Sequence, residues 1–361
     1  MMKFIYKITL FFLLIPLLVS ATEDKKKHEK NKVVKKIYTV NSDATVSLNN
    51  KYGNLNITTW DKNSVEIEVT ITVQGDDLGD VNEKLSSIAV IFNANRSLVE
   101  AETIIESSKS SWTSWFKSNK NINYKINYEV KMPKSNSVDL DNNYGNIYLD
   151  NLDGKANIAC EYGKIFIGNL NAQNNDINLD YATNSSIHYM KSGRVNIDYS
   201  KLTIDISEKV KVVADYSTLK LDKAEIVDFN CDYGAISVEE ATDIKGNSDY
   251  LSMRFGTIKK NLLIDTDYGS VSIKNLVKGF DNVDINTEYA SVRIGVDPAA
   301  VFEFILDLQY ASFSRNDDRI EFYKNISKST EKYYEGKFGK GNTESKIVIN
   351  SQYGGVSIKE N

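Results

Sequence analysis

The chain is poor in the residues that reactive sites and special backbones demand. Among its 361 residues are two cysteines, two histidines, three prolines and nineteen glycines. Two cysteines cannot build a disulfide framework, and two histidines leave little for metal or nucleophilic chemistry. So few prolines and glycines exclude a collagen-like or low-complexity chain, and a hydrophobic share of 41% excludes disorder. A basic excess is also missing. The 44 basic and 49 acidic side chains leave a net charge of −5, whereas proteins that grip phosphate backbones show the opposite bias, so nucleic acid is not an expected partner. The mean hydropathy of −0.37 leaves room for at most one membrane-like stretch. What remains is a chain long enough for a large core or two ordinary domains.

The one apolar run is at the start. Lys3 and Lys7 precede Ile8 to Val19, Pro16 interrupts that run, and Val19-Ser20-Ala21 puts small residues where a signal peptidase cuts. The run is about twelve residues where roughly twenty are needed to span a bilayer, so residues 1–21 read as a cleaved export signal rather than an anchor. No cysteine stands at the cut, which argues against a lipid-anchored lipoprotein. Loss of Lys3 and Lys7 takes the net charge to −7. The expectation is an exported, soluble chain in the periplasm or at the cell surface, with no transmembrane segment. Thr22 to Lys36 (TEDKKKHEKNKVVKK) carries charge without apolar periodicity, so residues 22–37 read as a flexible lead-in. A basic patch for anionic lipid or polysaccharide is the other reading.

Internal repetition dominates the rest. Tyr144, Tyr162, Tyr181, Tyr199, Tyr216, Tyr233, Tyr250, Tyr268, Tyr289 and Tyr310 are separated by 18, 19, 18, 17, 17, 17, 18, 21 and 21 residues. Tyr52 and Tyr353 are outliers of the same type. The next position is Gly, Ala or Ser in every regular copy except at Leu251. Apolar residues fall four and two positions before the tyrosine and three and five after it, as in Ile158, Cys160, Ile165 and Ile167. Such alternation marks strands, and the change of parity marks a bend between them, with the tyrosine placed inward and the small residue at a tight corner. Helical periodicity is not sustained in these copies.

A unit of about twenty residues cannot bury its own apolar face, but a stack of such units can. The predicted fold is therefore all-β, a parallel β-solenoid of 17–21-residue coils, with ten coils at about 4.8 Å making a rod roughly 45–50 Å long. The rival is an antiparallel sandwich or barrel, whose hairpins have no need of one residue at the same corner in every copy. The ends depart from the rhythm. Ser64 to Val73 and Asn123 to Met132 read as long strands, Val81, Leu85 and Ile88 hint at a helix, and Asp317 to Lys346 is a charged insertion before the last copy, Ile347 to Ile358. Residues 38–135 are then an N-terminal β region and cap, 136–316 the regular coils, and 317–361 the insertion and last coil. Irregular ends suit a solenoid, since they cover open strand edges.

The Tyr-Gly/Ala/Ser corners, the strand-and-corner copies and the segment YEVKMPKSNSVDLDNNYGNI (Tyr128 to Ile147) resemble the bacterial putative adhesin family. The resemblance spans roughly residues 40–361. It implies an exported β-solenoid domain, related to the head region called the GIN domain, and it implies no catalytic residues. No C-terminal barrel or sorting segment is evident, so a true autotransporter is not the expectation.

Several constellations are candidates for function. Glu161, Asp180, Asp198, Asp215, Asp232, Asp249, Asp267 and Glu288 each precede a tyrosine and would form a carboxylate column. It reads either as a stripe for divalent cations or basic partners, or as Asx-type turns in which each acid bonds the backbone of its own corner. Trp112, Trp115 and Phe116, in the polar run Ser107 to Asn121, are candidate partner-binding anchors or a cover for an apolar flank. Cys160 and Cys231 hold the same inward position four coils apart, so two buried free thiols are expected. His28 and His188 have no partners in sequence. No zinc spacing, catalytic triad order, phosphate loop or nicotinamide fingerprint occurs, so no catalytic, metal or cofactor site is assigned. The reading is a non-catalytic, adhesin-like rigid scaffold or binding module at the bacterial cell envelope, its partner an envelope protein or glycan. The alternative is a polysaccharide-acting β-helix enzyme, a lyase or hydrolase, but near-equivalent acids lack the unlike environments that a general acid and base need.

Overall fold

A computed structural model describes residues 26–106, 121–315 and 319–361. The chain is all-β among these residues, with one short helix, Leu78–Ser86. Two rows of strands make up the regular part. In the first, Thr45–Lys51, Ser137–Asn143, Ala156–Glu161 and Asn175–Asp180 pair in parallel, each with the next. The register aligns Leu48, Leu140, Ile158, Ile177, Val195 and Val212 into one buried column. In the second row, Leu55–Trp60, Ile147–Leu149 and Ile165–Leu170 do the same and align Ile57, Leu149, Ile167, Ile187 and Ile204. A slip of one residue would turn either column out to solvent, so the alternation of the sequence fixes this register.

The apolar sets before and after each tyrosine therefore lie inside as expected, but the tyrosines themselves do not. All twelve are 37% to 55% exposed, which corrects their inward assignment. The cause is a backbone inversion at the tyrosine. Eleven of the twelve have φ between 47° and 64°, the left-handed region that a bulky side chain seldom adopts. One left-handed residue breaks the two-residue alternation, swings the ring outward and restarts the inward set three positions later. Gly234 and Gly269, with φ of 157° and 132°, use glycine's conformational freedom, but at other corners the small residue answers a close approach. A Cβ on Gly163 would lie 1.9 Å from the carbonyl oxygen of Gly145 in the adjacent copy, and one on Gly145 would lie 1.8 Å from that of Gly53. Where serine replaces glycine, its hydroxyl ties corners together: Ser217 Oγ receives the Ser200 N–H at 3.0 Å and donates to the Ile197 carbonyl at 3.0 Å.

Antiparallel pairing among the described residues is confined to the ends. Ser64–Gly75 pairs with Ile122–Pro133 on one side and with His28–Thr39 on the other, and Ile88–Ala94 pairs with Leu98–Ile105. From His28 onward the strand His28–Thr39 corrects the reading of residues 22–37 as a flexible lead-in. Its exposed charges face water while its backbone closes the edge of Ser64–Gly75, a role that needs no apolar periodicity. The helix Leu78–Ser86 starts where Asp77 Oδ1 accepts the Asp80 N–H at 2.9 Å, and it buries Val81. Ile88, expected on its face, begins a strand instead. Beneath this cap Asn50, Thr103 and Tyr128 form a buried polar chain, with Thr103 Oγ1 2.9 Å from Asn50 Oδ1 and 2.8 Å from the Tyr128 hydroxyl.

At the other end the order of copies changes. Lys346–Gln352 pairs in parallel with Asn282–Glu288 and with Phe302–Gln309, so it lies between them. Gly355–Glu360 likewise lies between Ala290–Val296 and Ser312–Arg315. The outer edge of Phe302–Gln309 is covered by Glu331–Phe338, which pairs antiparallel with Ile320–Ser327. The last copy is therefore inserted one place inward rather than added at the end.

Candidate functional site

The most extended feature of the surface is an aromatic ladder. Tyr52, Tyr144, Tyr162, Tyr181, Tyr199 and Tyr216 stack in that order with centroids 4.9–5.2 Å apart and planes within 6°. Tyr233, Tyr250, Tyr268, Tyr289, Tyr353 and Tyr310 continue it at 4.6–5.0 Å. All ten tyrosines singled out from the sequence are brought together, and both outliers join them. Tyr353 enters between Tyr289 and Tyr310, where spacing along the chain gave no sign of it. The spacing of the rings follows from the strands beneath them, since each corner is bonded to the next copy, as in Tyr162 N to the Asp180 carbonyl at 3.0 Å and Tyr181 N to the Asp198 carbonyl at 3.1 Å. At the N-terminal end Tyr124 closes the ladder edge-on against Tyr52 at 5.1 Å.

Because the rings lie face to face, what solvent meets is a strip of ring edges and hydroxyls. The hydroxyls of Tyr162, Tyr199, Tyr233 and Tyr268 are all held above the usual phenol range, first by desolvation and then by the neighbouring rings and acids. They remain protonated donors at neutral pH.

The carboxylate column runs beside the ladder. Register sets Glu161 beside Asp180, Asp180 beside Asp198, and Asp198 beside Asp215. Asp215 and Asp249 have raised carboxyl pKa values, by desolvation first and then by the flanking acids. The Asx-turn reading is corrected at Asp232, whose Oδ1 accepts the N–H of Asp249 in the next copy at 2.9 Å rather than bonding its own corner. Among the described residues no group of three or more His, Cys, Asp or Glu side chains is arranged to hold a metal ion.

Cys160 and Cys231 are buried and unpaired, and burial, foremost, pushes both thiols up to about 12. They are not nucleophiles at neutral pH. His188 sits on the surface with Nδ1 2.8 Å from Asp205 Oδ2. Trp112, Trp115 and Phe116 lie outside the described residues, as do residues 1–21, which the sequence reads as an export signal. Among the described residues no helix is long and apolar enough to cross a membrane.

No family model matches this sequence, and no curated protein matches it. Among solved structures the chain is similar to a putative cell adhesion protein from Clostridium sporogenes ATCC 15579, at 12% identity and a TM-score of 0.17 over 92% of this chain and 100% of that one. It is similar to a putative adhesin from Parabacteroides distasonis ATCC 8503 at 10% identity and a TM-score of 0.32, over 72% of this chain and 92% of that one. A third similarity is to a putative lipid binding protein from the same organism, at 10% identity and a TM-score of 0.29, over 90% of this chain and 96% of that one. Likenesses this distant carry nothing about a ligand.

Proposed function

We propose that the chain is a non-catalytic, adhesin-like binding rod of the bacterial envelope, exported by its N-terminal signal and built as a parallel β-solenoid. The observation that carries this reading is the unbroken stack of twelve half-exposed tyrosines along one corner of an in-register parallel array. Left-handed tyrosines each cost on the order of 1–3 kcal/mol, and their repetition builds a straight, stiff strip of ring edges, hydroxyls and adjacent carboxylates. Tyrosine supplies large contact area at little entropic cost, which suits a surface made for partners. Trp112, Trp115 and Phe116 are a second proposed contact.

The test is retention of the purified protein on envelope extracts and on immobilised envelope and host glycans, with the glycans analysed afterwards. Retention without cleavage is expected, and replacing Tyr199, Tyr216 and Tyr233 together by serine should weaken it while strand content persists. New reducing or unsaturated sugar ends would instead establish the polysaccharide-acting enzyme. A triple alanine variant of Trp112, Trp115 and Phe116 should lower retention and leave the melting temperature in place.

A further inference from the structure

We infer that the C-terminal hairpin and the sheet face beneath it form a binding cleft for a neutral oligosaccharide, set at the C-terminal end of the carboxylate column and away from the middle of the ladder. The cleft measures about 780 Å3, within the range of about 300–1,000 Å3 of small-molecule sites. It lies where Ile320–Ser327 and Glu331–Phe338 lean over the outward side chains of the last copies. The inserted final copy shapes its floor. Register aligns Asp265, Asn286, Asn350 and Asp307 in one row, two amides flanked by carboxylates at strand spacing, about 4.8 Å. Glu288, Gln352 and Gln309 form a second row beside it. Asn350 Nδ2 donates to Asn286 Oδ1 at 2.7 Å, which orients both amides before any ligand arrives.

The lining selects the ligand by exclusion and by fit. The floor carries carboxylates and the hairpin wall carries Lys324, Lys328 and Lys332, so an anion meets the acids and a cation meets the lysines. The lysines are engaged within the wall. Lys328 Nζ is 3.0 Å from Glu331, Lys332 Nζ donates to the Ala311 carbonyl at 3.0 Å, and Lys324 Nζ stands 4.7 Å over the Tyr333 ring. An apolar ligand finds Ile326 as the single aliphatic side chain on the lining. A neutral polyol avoids both repulsions. Each of its hydroxyls gives one donor and accepts in return, which matches carboxylates that only accept set beside amides that do both.

The experiment titrates the full chain calorimetrically with cellohexaose, xylohexaose, maltohexaose and chitohexaose, and separately with tetralysine and tetraglutamate. Saturable binding of at least one neutral hexasaccharide is expected, weakened about tenfold or more by Asp307→Ala and by Asn350→Ala. Lys324→Met on the wall gives a second variant that leaves the floor intact and should also weaken it. The triple serine variant of Tyr199, Tyr216 and Tyr233 must leave this affinity unchanged, which separates the cleft from the ladder. No binding by any of the four sugars, binding of a charged peptide in their place, or sugar binding that survives both floor variants would overturn the inference. Loss of sugar binding in the ladder variant alone would overturn the cleft and leave the proposed rod standing.

Discussion

From Tyr144 to Tyr289 the order of copies along the chain is their order in space, while beyond Tyr289 the last copy turns back and takes the place before its predecessor. In the middle, each strand pairs with neighbours roughly eighteen residues away, so local repetition is enough to build the array. At the C-terminal end Val283 lies beside Ile347, and Ile347 beside Phe304. Those pairings cross more than one element and depend on the hairpin that occupies the outer edge of Phe302–Gln309. With that edge closed, the final copy can pair both of its strand edges only by entering between two copies already in the chain. A repeat thus dictates what each copy looks like, and the covering of edges dictates where the last one goes.

The sharpest way to break this comparison is to place the same steric insult in both regions. Gly163→Val sets a side chain against the Gly145 carbonyl in the middle of the array, and Gly354→Val sets one 2.0 Å from the Ala290 carbonyl at the inserted copy. The first should cost about 3 kcal/mol or more and lower the whole unfolding transition. The second should release only the C-terminal strands, seen as faster hydrogen exchange in residues 282–315 and 346–360 with the rest protected. Equal global loss from both would erase the distinction.

Alkaline unfolding is the next largest effect, and it belongs to the middle. Cys160 and Cys231 rise from a usual value of 9.0 to about 12, because burial disfavours the thiolate. A group raised on folding holds more protons in the native state, so its stabilising effect is complete below pH 9 and disappears as the pH climbs toward 12. Denaturant midpoints measured from pH 8 to 11 should fall, and alanine at both cysteines should flatten that fall. The buried Tyr128 phenol, raised chiefly by desolvation, adds the same direction of change in the N-terminal cap.

A smaller contrast concerns the ladder. Tyr216 has a ring on either side, whereas among the described residues Tyr310 stacks on Tyr353 alone. Asparagine tolerates the left-handed backbone at both sites. Tyr216→Asn should cost about 1–2 kcal/mol in urea unfolding and Tyr310→Asn about half as much, given about 0.5–1.5 kcal/mol per aromatic pair. Smallest is the carboxylate column. The raised carboxyl of Asp215 favours the protonated form, so its ionisation is a penalty that appears as pH rises through its folded pKa. Asp215→Asn should raise Tm slightly at pH 7 and low ionic strength, and the gain should shrink in about 1 M salt, where the Debye length is about 3 Å and the flanking acids are screened while the desolvation remains.

Much of this architecture was legible in the residues. The apolar pairs around each tyrosine, as at Phe229, Cys231, Ile236 and Val238, name the buried side chains directly. The spacing of ten tyrosines put one at the same corner of each copy, which is what brings their rings together. Their direction was not legible, because alternation puts residues four, two and zero before the corner on one face unless the backbone inverts, and no composition rule forecasts a left-handed tyrosine. The exposed strand His28–Thr39 escaped notice for a related reason: a strand that closes an edge through its backbone leaves no mark on side-chain pattern. The C-terminal cleft left no motif either, since its floor joins Asp265, Asn286, Asp307 and Asn350 from four copies.

The order of residues by itself determined the unit: which aliphatic side chains go inside, where the corner falls, and that a small residue follows the tyrosine at most corners. These depend on alternation and contact within one or two copies, so they are written locally. Only the tertiary structure decided the outward turn of the rings, the antiparallel covers at both ends and the place of the final copy. Each of these minimises unpaired backbone at an edge or corner, a requirement that exists only once neighbouring copies are in contact.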